Sequence, residues 1–144
     1  MKFISRQEYR NNRKKTLLDK EVCPFCDIDD KDDDMIARKG KYWYVLHNFA
    51  PYTGDERHLM AIPYEHIAFS YDLTPEHLLE LADVYAFMKE YFAETPYFQF
   101  TRETLDNRSV EHLHIHFLAG KMKGKWIRRM LREQGFPVDT ECDD

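Results

Sequence analysis

Only three cysteines occur in the 144 residues, too few for a disulfide framework. Two of them form Cys23-Pro-Phe-Cys26, and the third, Cys142, sits in the acidic tail Asp139 to Asp144 as an incidental thiol. No apolar run approaches the roughly 18 residues that a transmembrane helix requires, so no transmembrane helix is expected. The stretch Met1 to Lys20 is too charged for a secretory signal, which leaves the cytoplasm as the expected location. Internal repeats and domain-splitting linkers are also missing, and the length fits one domain. Residues 1–21 read as a basic N-terminal helix, 22–120 as the core, and 121–144 as a C-terminal helix with an acidic tail. A net charge of −5 makes a dedicated nucleic-acid binder a poor expectation. Asp27 to Asp34 holds six aspartates in eight residues, yet lacks the glycine and closing glutamate of an EF-hand. It reads as a solvated loop.

What the chain does have is an apolar fraction of 43% and an aromatic fraction of 15%, enough for a packed core. Ser5-Arg-Gln-Glu8 reads as a capping box that opens a helix running to about Asp19. The helix carries Arg6, Arg10, Arg13, Lys14, Lys15 and Lys20, either as a solvated face or as a basic arm toward a polyanion. Cys23 and Cys26 suit a metal knuckle or a redox dithiol. A basic helix before the pair and an acidic loop after it do not make a βαβ redox setting, which favours metal. Met35 to Leu46 reads as a hairpin turning at Gly40, and His58 to Ile62 as a third strand ended by Pro63. Thr74-Pro75 opens a long amphipathic helix, with Leu78, Leu81, Ala82, Tyr85, Met88 and Phe92 at helical spacing and His77 toward solvent. Tyr97 to Thr101 reads as a strand, and Trp126 to Leu131 as a last helix stopped at Gly135. Strands flanking one long helix define an α+β protein with a mainly antiparallel sheet.

The chemistry is concentrated in Glu111-His-Leu-His-Ile-His-Phe-Leu118. Three of the seven histidines alternate there with large apolar residues, the period of a strand. His112, His114 and His116 would share one face about 7 Å apart, with Leu113, Ile115 and Phe117 on the other. Such a row fits metal ligands, or a nucleophile with its acid–base support.

The run His-Leu-His-Ile-His-Phe-Leu resembles the signature of the histidine triad (HIT) superfamily. Its company in chain order supports the likeness: Cys-Pro-Phe-Cys, then Asn48-Phe-Ala-Pro-Tyr52, then His58-Leu-Met-Ala-Ile-Pro-Tyr-Glu-His66. The chain looks most like bacterial diadenosine polyphosphate hydrolase/phosphorylase-type members, from about Cys23 to Gly120. The resemblance implies a five-stranded antiparallel sheet with helices and a homodimer joined partly through the long helix. It also implies nucleotide substrates cut at the α-phosphate. His114 would be the nucleophile, forming a covalent nucleotidyl-histidine, with His112 and His116 binding phosphate oxygens or moving protons. Asn48 would bind ribose, Leu46 and Phe49 would line the base pocket, and Ser109 would contact phosphate. A structural zinc ion would take Cys23, Cys26, His66 and His112, a suitable tetrahedral set.

The sequence departs from the family where a Gly-Gln pair often precedes the triad; here stands Asp106-Asn-Arg-Ser109, with Arg108 or Arg102 either as the alternative phosphate-binding cation or as a partner in surface ion pairs. The loop before His58 is longer by Asp55 to Arg57, and Ala119-Gly120 replaces the usual residues after the triad. Histidine at the third triad position favours hydrolysis over uridylyl transfer. A nucleotidyl hydrolase or transferase is therefore the leading expectation. A nucleotide-binding regulatory module with little turnover and a zinc-stabilised interaction protein are the competing ones.

Overall fold

A computed structural model describes residues 1–16, 23–52, 56–103, 110–121 and 125–135. The hairpin forms as expected, with β1 (Ile36–Lys39) and β2 (Trp43–His47) antiparallel about Gly40. Its turn is pinned by the Glu80 carboxylate, which accepts from the backbone N–H groups of Lys41, Tyr42 and Trp43 at 2.7, 2.9 and 2.6 Å. A Cβ on residue 40 would lie 2.8 Å from that carboxylate and 2.9 Å from the Trp43 carbonyl, so only glycine fits the turn. β3 (His58–Pro63) pairs with β2, and β5 (Ile115–Ala119) lies between β3 and β4 (Tyr97–Phe100). The result is a five-stranded, wholly antiparallel sheet in the order β1-β2-β3-β5-β4, the α+β architecture expected.

One face of the sheet is dry. Val45, Leu59, Ala61, Ile115 and Phe117 meet Leu81, Val84, Met88 and Phe92 of helix α2 (Pro75–Phe92). Full burial of each large member contributes about 1.5–3 kcal/mol. The stripe that packs is thus Leu81-Val84-Met88-Phe92. Leu78, expected in it, is 55% exposed and Tyr85 is 42% exposed. The helix is apolar over more than one face, and the sheet claims only one of them. His77 departs from expectation in the opposite direction. It is buried because its Nδ1 accepts from the Thr74 N–H at 3.3 Å, closing a capping box. Its carbonyl also takes the Trp43 indole N–H at 2.9 Å.

The other face is divided. Phe25, Met35, Tyr44, Leu46, Met60 and Ile62 form one cluster, and Tyr52, Leu118, Ile127 and Met130 a second. The second is roofed by α3 (Lys125–Glu133), which ends before Gly135 at φ 84°. Helix α1 (Arg6–Thr16) starts where the Ser5 hydroxyl accepts from the Glu8 N–H at 3.1 Å. It is tied to the Asn48–Ala50 loop by the Ile4 N–H to Phe49 carbonyl bond and by the Tyr9–Phe49 ring contact. No helix among the described residues is long and apolar enough to cross a membrane.

The triad strand is shorter than its alternation predicts. β5 begins at Ile115, paired with Ala61, so His112 and His114 precede the strand. The register places Pro63 opposite Leu113, and proline has no N–H for the ladder. The Leu113 N–H bonds instead to the Ile67 carbonyl at 2.7 Å. The alternation of faces survives all the same, because Leu113, Ile115 and Phe117 stay in the α2 core.

Candidate active site and metal centre

Four of the expected ligands converge from three chain segments. The Sγ atoms of Cys23 and Cys26 and ring nitrogens of His66 and His112 lie within 4.8 Å of one another. His112 Nδ1 is 3.4 Å from Cys23 Sγ and 3.5 Å from Cys26 Sγ, and His66 Nδ1 is 3.1 Å from Cys26 Sγ. Tetrahedral coordination at usual Zn–S and Zn–N lengths would separate ligand atoms by roughly 3.3–3.8 Å. The donor set therefore fits such an ion with small adjustment. The tautomer fits as well: the His112 Nε2–H donates to the Pro63 carbonyl at 2.7 Å, which turns the Nδ1 lone pair toward the sulfurs. Burial holds the His112 pKa below its usual value, so the ring is neutral, as a metal ligand must be. The Cys-Pro-Phe-Cys turn is anchored by the Tyr44 hydroxyl, which donates to the Phe25 carbonyl at 2.8 Å.

Phe25 connects this centre to the triad, its ring edge-on to His112 at 6.0 Å and to His114 at 5.1 Å. The His114 Nδ1–H donates to the His112 carbonyl at 2.7 Å, so Nε2 carries the lone pair. That lone pair is thereby oriented by a backbone carbonyl. His116 lies beside it, ring centroids 4.8 Å apart.

The tautomer of His116 follows from His58, a residue the motif reading passed over as the start of a strand. The backbone N–H of Tyr52 donates to His58 Nδ1 at 3.3 Å. The proton of neutral His58 must then be on Nε2, which donates to His116 Nδ1 at 2.8 Å. His116 in turn carries its proton on Nε2, a buried atom with no hydrogen-bond partner among the described residues. Burial, reinforced by the positive charges of Arg6 and Arg102 and by His114, pulls both pKa values well below the usual histidine range. Both rings are neutral near pH 7. The chain signal for His58 was available: alternation on β3 puts His58, Met60 and Ile62 on the face opposite Leu59 and Ala61.

Asn48 is buried next to this pair. Its Oδ1 accepts from the Ala50 N–H at 2.9 Å, which fixes the amide; its Nδ2 then stands 3.5 Å from His58 Nε2, donor facing donor. Leu46 is 4% exposed within the Phe25 cluster, whereas Phe49 is 41% exposed against Tyr9. Ser109 and Arg108 lie outside the described residues, as do Asp106, Asn107, the start of the Asp55–Arg57 insertion and Cys142. Around His116 the walls are aromatic: Phe100 stacks on it at 4.6 Å and 12°, and Tyr52 lies at 5.2 Å. Next to Phe100 a cavity of about 150 Å³ opens between β4 and α3, lined by Phe98, Ile127, Met130, Leu131 and Arg102 among others.

Fold and site together define a histidine triad protein, and comparison with known proteins agrees. Residues 22–131 match the family model described as scavenger mRNA decapping enzyme C-term binding. A HIT family hydrolase from Clostridium thermocellum is 25% identical with a TM-score of 0.59, covering 72% of this chain and 95% of its own. A HIT family member from Bacillus subtilis is 19% identical with a TM-score of 0.62, over 85% and 84% of the two chains. A zinc-bound histidine triad protein from Mycobacterium smegmatis is 19% identical with a TM-score of 0.60, over 73% and 79%. Among curated proteins no sequence matches. The chain belongs to this decapping-enzyme C-terminal family of the histidine triad superfamily.

Proposed function

We propose that this protein is a nucleotidyl hydrolase acting on nucleotides substituted at the α-phosphate, through a covalent nucleotidyl-histidine on His114. The observation that carries the reading is the tautomer pair: a lone pair on His114 Nε2 beside an N–H on His116 Nε2. In the first step His114 Nε2 attacks phosphorus, a P–N bond forms, and the bond from phosphorus to the leaving group breaks with its electron pair going to that group. The His116 N–H stabilises the charge that develops there. In the second step water adds to phosphorus and releases a proton to solvent, the P–N bond returns its electrons to His114 Nε2, and the nucleoside monophosphate departs. Inorganic phosphate in place of water would give phosphorolysis by the same route.

Asn48 is assigned to the ribose, Leu46 and Phe49 to the base, and Ser109 and Arg108, by their place just before the triad, to phosphate. Zinc is the assigned metal, held by Cys23, Cys26, His66 and His112; it would supply no catalytic chemistry and would tie the N-terminal turn to the ends of β3 and β5. The assigned quaternary state is a homodimer, supported by the exposed Leu78, Leu79 and Tyr85 on α2.

The test is turnover of diadenosine tetraphosphate and adenosine phosphoramidate by wild type and His114→Ala, with mass spectrometry of acid-free quenched enzyme. A nucleotidyl adduct on wild type alone is expected. If wild type binds AMP but turns over neither substrate faster than His114→Ala does, the enzyme is rejected and a binding module is left.

A further inference from the structure

We infer that Phe100 is a positioning residue for the triad: its ring fixes the plane of His116 and so the direction in which the Nε2–H points. This deepens the hydrolase reading and rests on it for the task of that N–H. In the sequence Phe100 is one apolar residue of a short strand. The register gives it a partner, because Phe100 stands directly opposite His116 across the β4–β5 ladder, as Phe98 stands opposite Leu118. Cross-strand neighbours of this kind share a face, and their side chains meet.

The contact is close and nearly parallel. The ring centroids of Phe100 and His116 are 4.6 Å apart and their planes differ by 12°. His114, His58 and Tyr52 also border His116, at 4.8, 5.0 and 5.2 Å, but with planes turned by 71°, 49° and 34°. Of these four rings, Phe100 is the one that lies flat on the imidazole.

Control of His116 is thus divided between two neighbours. The His58 Nε2–H, 2.8 Å from Nδ1, sets the tautomer. That bond holds the ring at one atom, and the χ2 torsion of a histidine is broad, so the ring can still tilt. An N–H lies in the plane of its ring, and a hydrogen bond weakens steeply as its angle falls toward about 120°. Tilt therefore takes the donor off the leaving group even when the tautomer is unchanged. A flat ring against the imidazole removes that freedom, and a reacting group has to be held within about 10–20°. Phe100 is itself held from behind. It packs on the cluster of Tyr52, Leu118, Ile127 and Met130, so α3 seats the ring that seats His116. The cavity of about 150 Å³ beside Phe100 leaves room for a changed side chain at this position.

The experiment uses the full chain, with zinc held constant and its histidines isotope-labelled, and compares wild type with Phe100→Leu and Phe100→Tyr. Leucine stays apolar but has no flat face; tyrosine keeps the face. Long-range proton–nitrogen NMR correlations read the tautomer of His116, and the exchange rate of its Nε2–H reads how firmly the ring is held. Loss of the signal in His116→Asn assigns it. In Phe100→Leu the tautomer is expected to stay, while exchange quickens at least tenfold. Formation of the nucleotidyl-enzyme from diadenosine tetraphosphate should slow about tenfold, less than outright loss of the donor would cause. AMP affinity should be unchanged. Phe100→Tyr should restore both the exchange rate and the reaction rate. A His116 signal as well protected in Phe100→Leu as in wild type overturns the inference and leaves the hydrolase standing. So does a rate loss that Phe100→Tyr does not restore. If wild type itself forms no nucleotidyl-enzyme, the hydrolase falls, and the exchange rates alone decide whether Phe100 orients His116. Should Phe100→Leu fail to fold, Phe100→Met, flexible enough to fill the same space, takes its place.

Discussion

His58 sits one residue behind the chemistry, and replacing it measures how far the relay matters. In His58→Leu, two buried partners lose their complement: the Tyr52 N–H, which donates to Nδ1, and His116 Nδ1, which accepts from Nε2. Each uncompensated buried polar group costs about 1–3 kcal/mol. The apolar replacement fills the site without a desolvation cost of its own, so a net loss of about 2–4 kcal/mol is expected. Glutamine can place an amide N–H near the position of Nε2, so His58→Gln should lose less than half as much. Catalysis should follow the same order. Removing a positioned donor outright, as in His116→Ala, is expected to lower kcat by about 10²–10³. His58→Leu leaves the ring but frees its tautomer, for which about tenfold is expected. Urea denaturation with zinc held constant, paired with single-turnover rates, reads both quantities. Equal damage from Leu and Gln would refute the relay, because shape alone would then explain the site. So would a Leu variant within about 0.5 kcal/mol of wild type, a range typical of surface changes.

Acid should destabilise the protein more steeply than its carboxylates alone would. The folded pKa values of His58 and His116 are depressed, so below the unfolded value of about 6.5 the unfolded chain takes up protons that the native state refuses. Stability is then complete above that pH and falls by about 1.4 kcal/mol per pH unit for each histidine; His58→Gln at fixed zinc should remove one such contribution, and a variant slope identical to wild type would contradict it. Cys23→Ser with Cys26→Ser should abolish stoichiometric zinc by elemental analysis and lower the melting temperature by several degrees; retained stoichiometry would mean that other ligands hold the metal. Leu78→Glu with Leu79→Glu should convert a dimer into a species of one 17.4 kDa chain by light scattering, whereas an unchanged dimer would place the interface elsewhere. Glu80→Ala, which strips three backbone N–H groups of their acceptor, should cost about 2–3 kcal/mol in urea titrations.

What could be read from the chain divides along a physical line. Cys23, Cys26, His66 and His112 were nameable as a set through the likeness to the histidine triad family, and the geometry brings them together. The sheet was equally legible, because alternation and turn residues are local properties. Long-range consequences were not. Pro63 cuts the triad strand short only because register sets it opposite Leu113, and register is not written in either segment alone. His77 looked like a solvent residue because the polarity of a side chain does not say whether a cap or water will satisfy it. His58 and His116 are 58 residues apart, and nothing in either segment reveals that one fixes the proton of the other. The same holds for Arg6: in sequence it is one cation of a basic helix, and only the docking of that helix on the Phe49 loop brings its charge to Tyr52. The triad thus places its imidazoles by local alternation alone. His58 at the start of β3, which sets the proton of His116, and Arg6 at the start of α1, which brings a positive charge to the Tyr52 ring, come from segments whose patterns carry no sign of either placement.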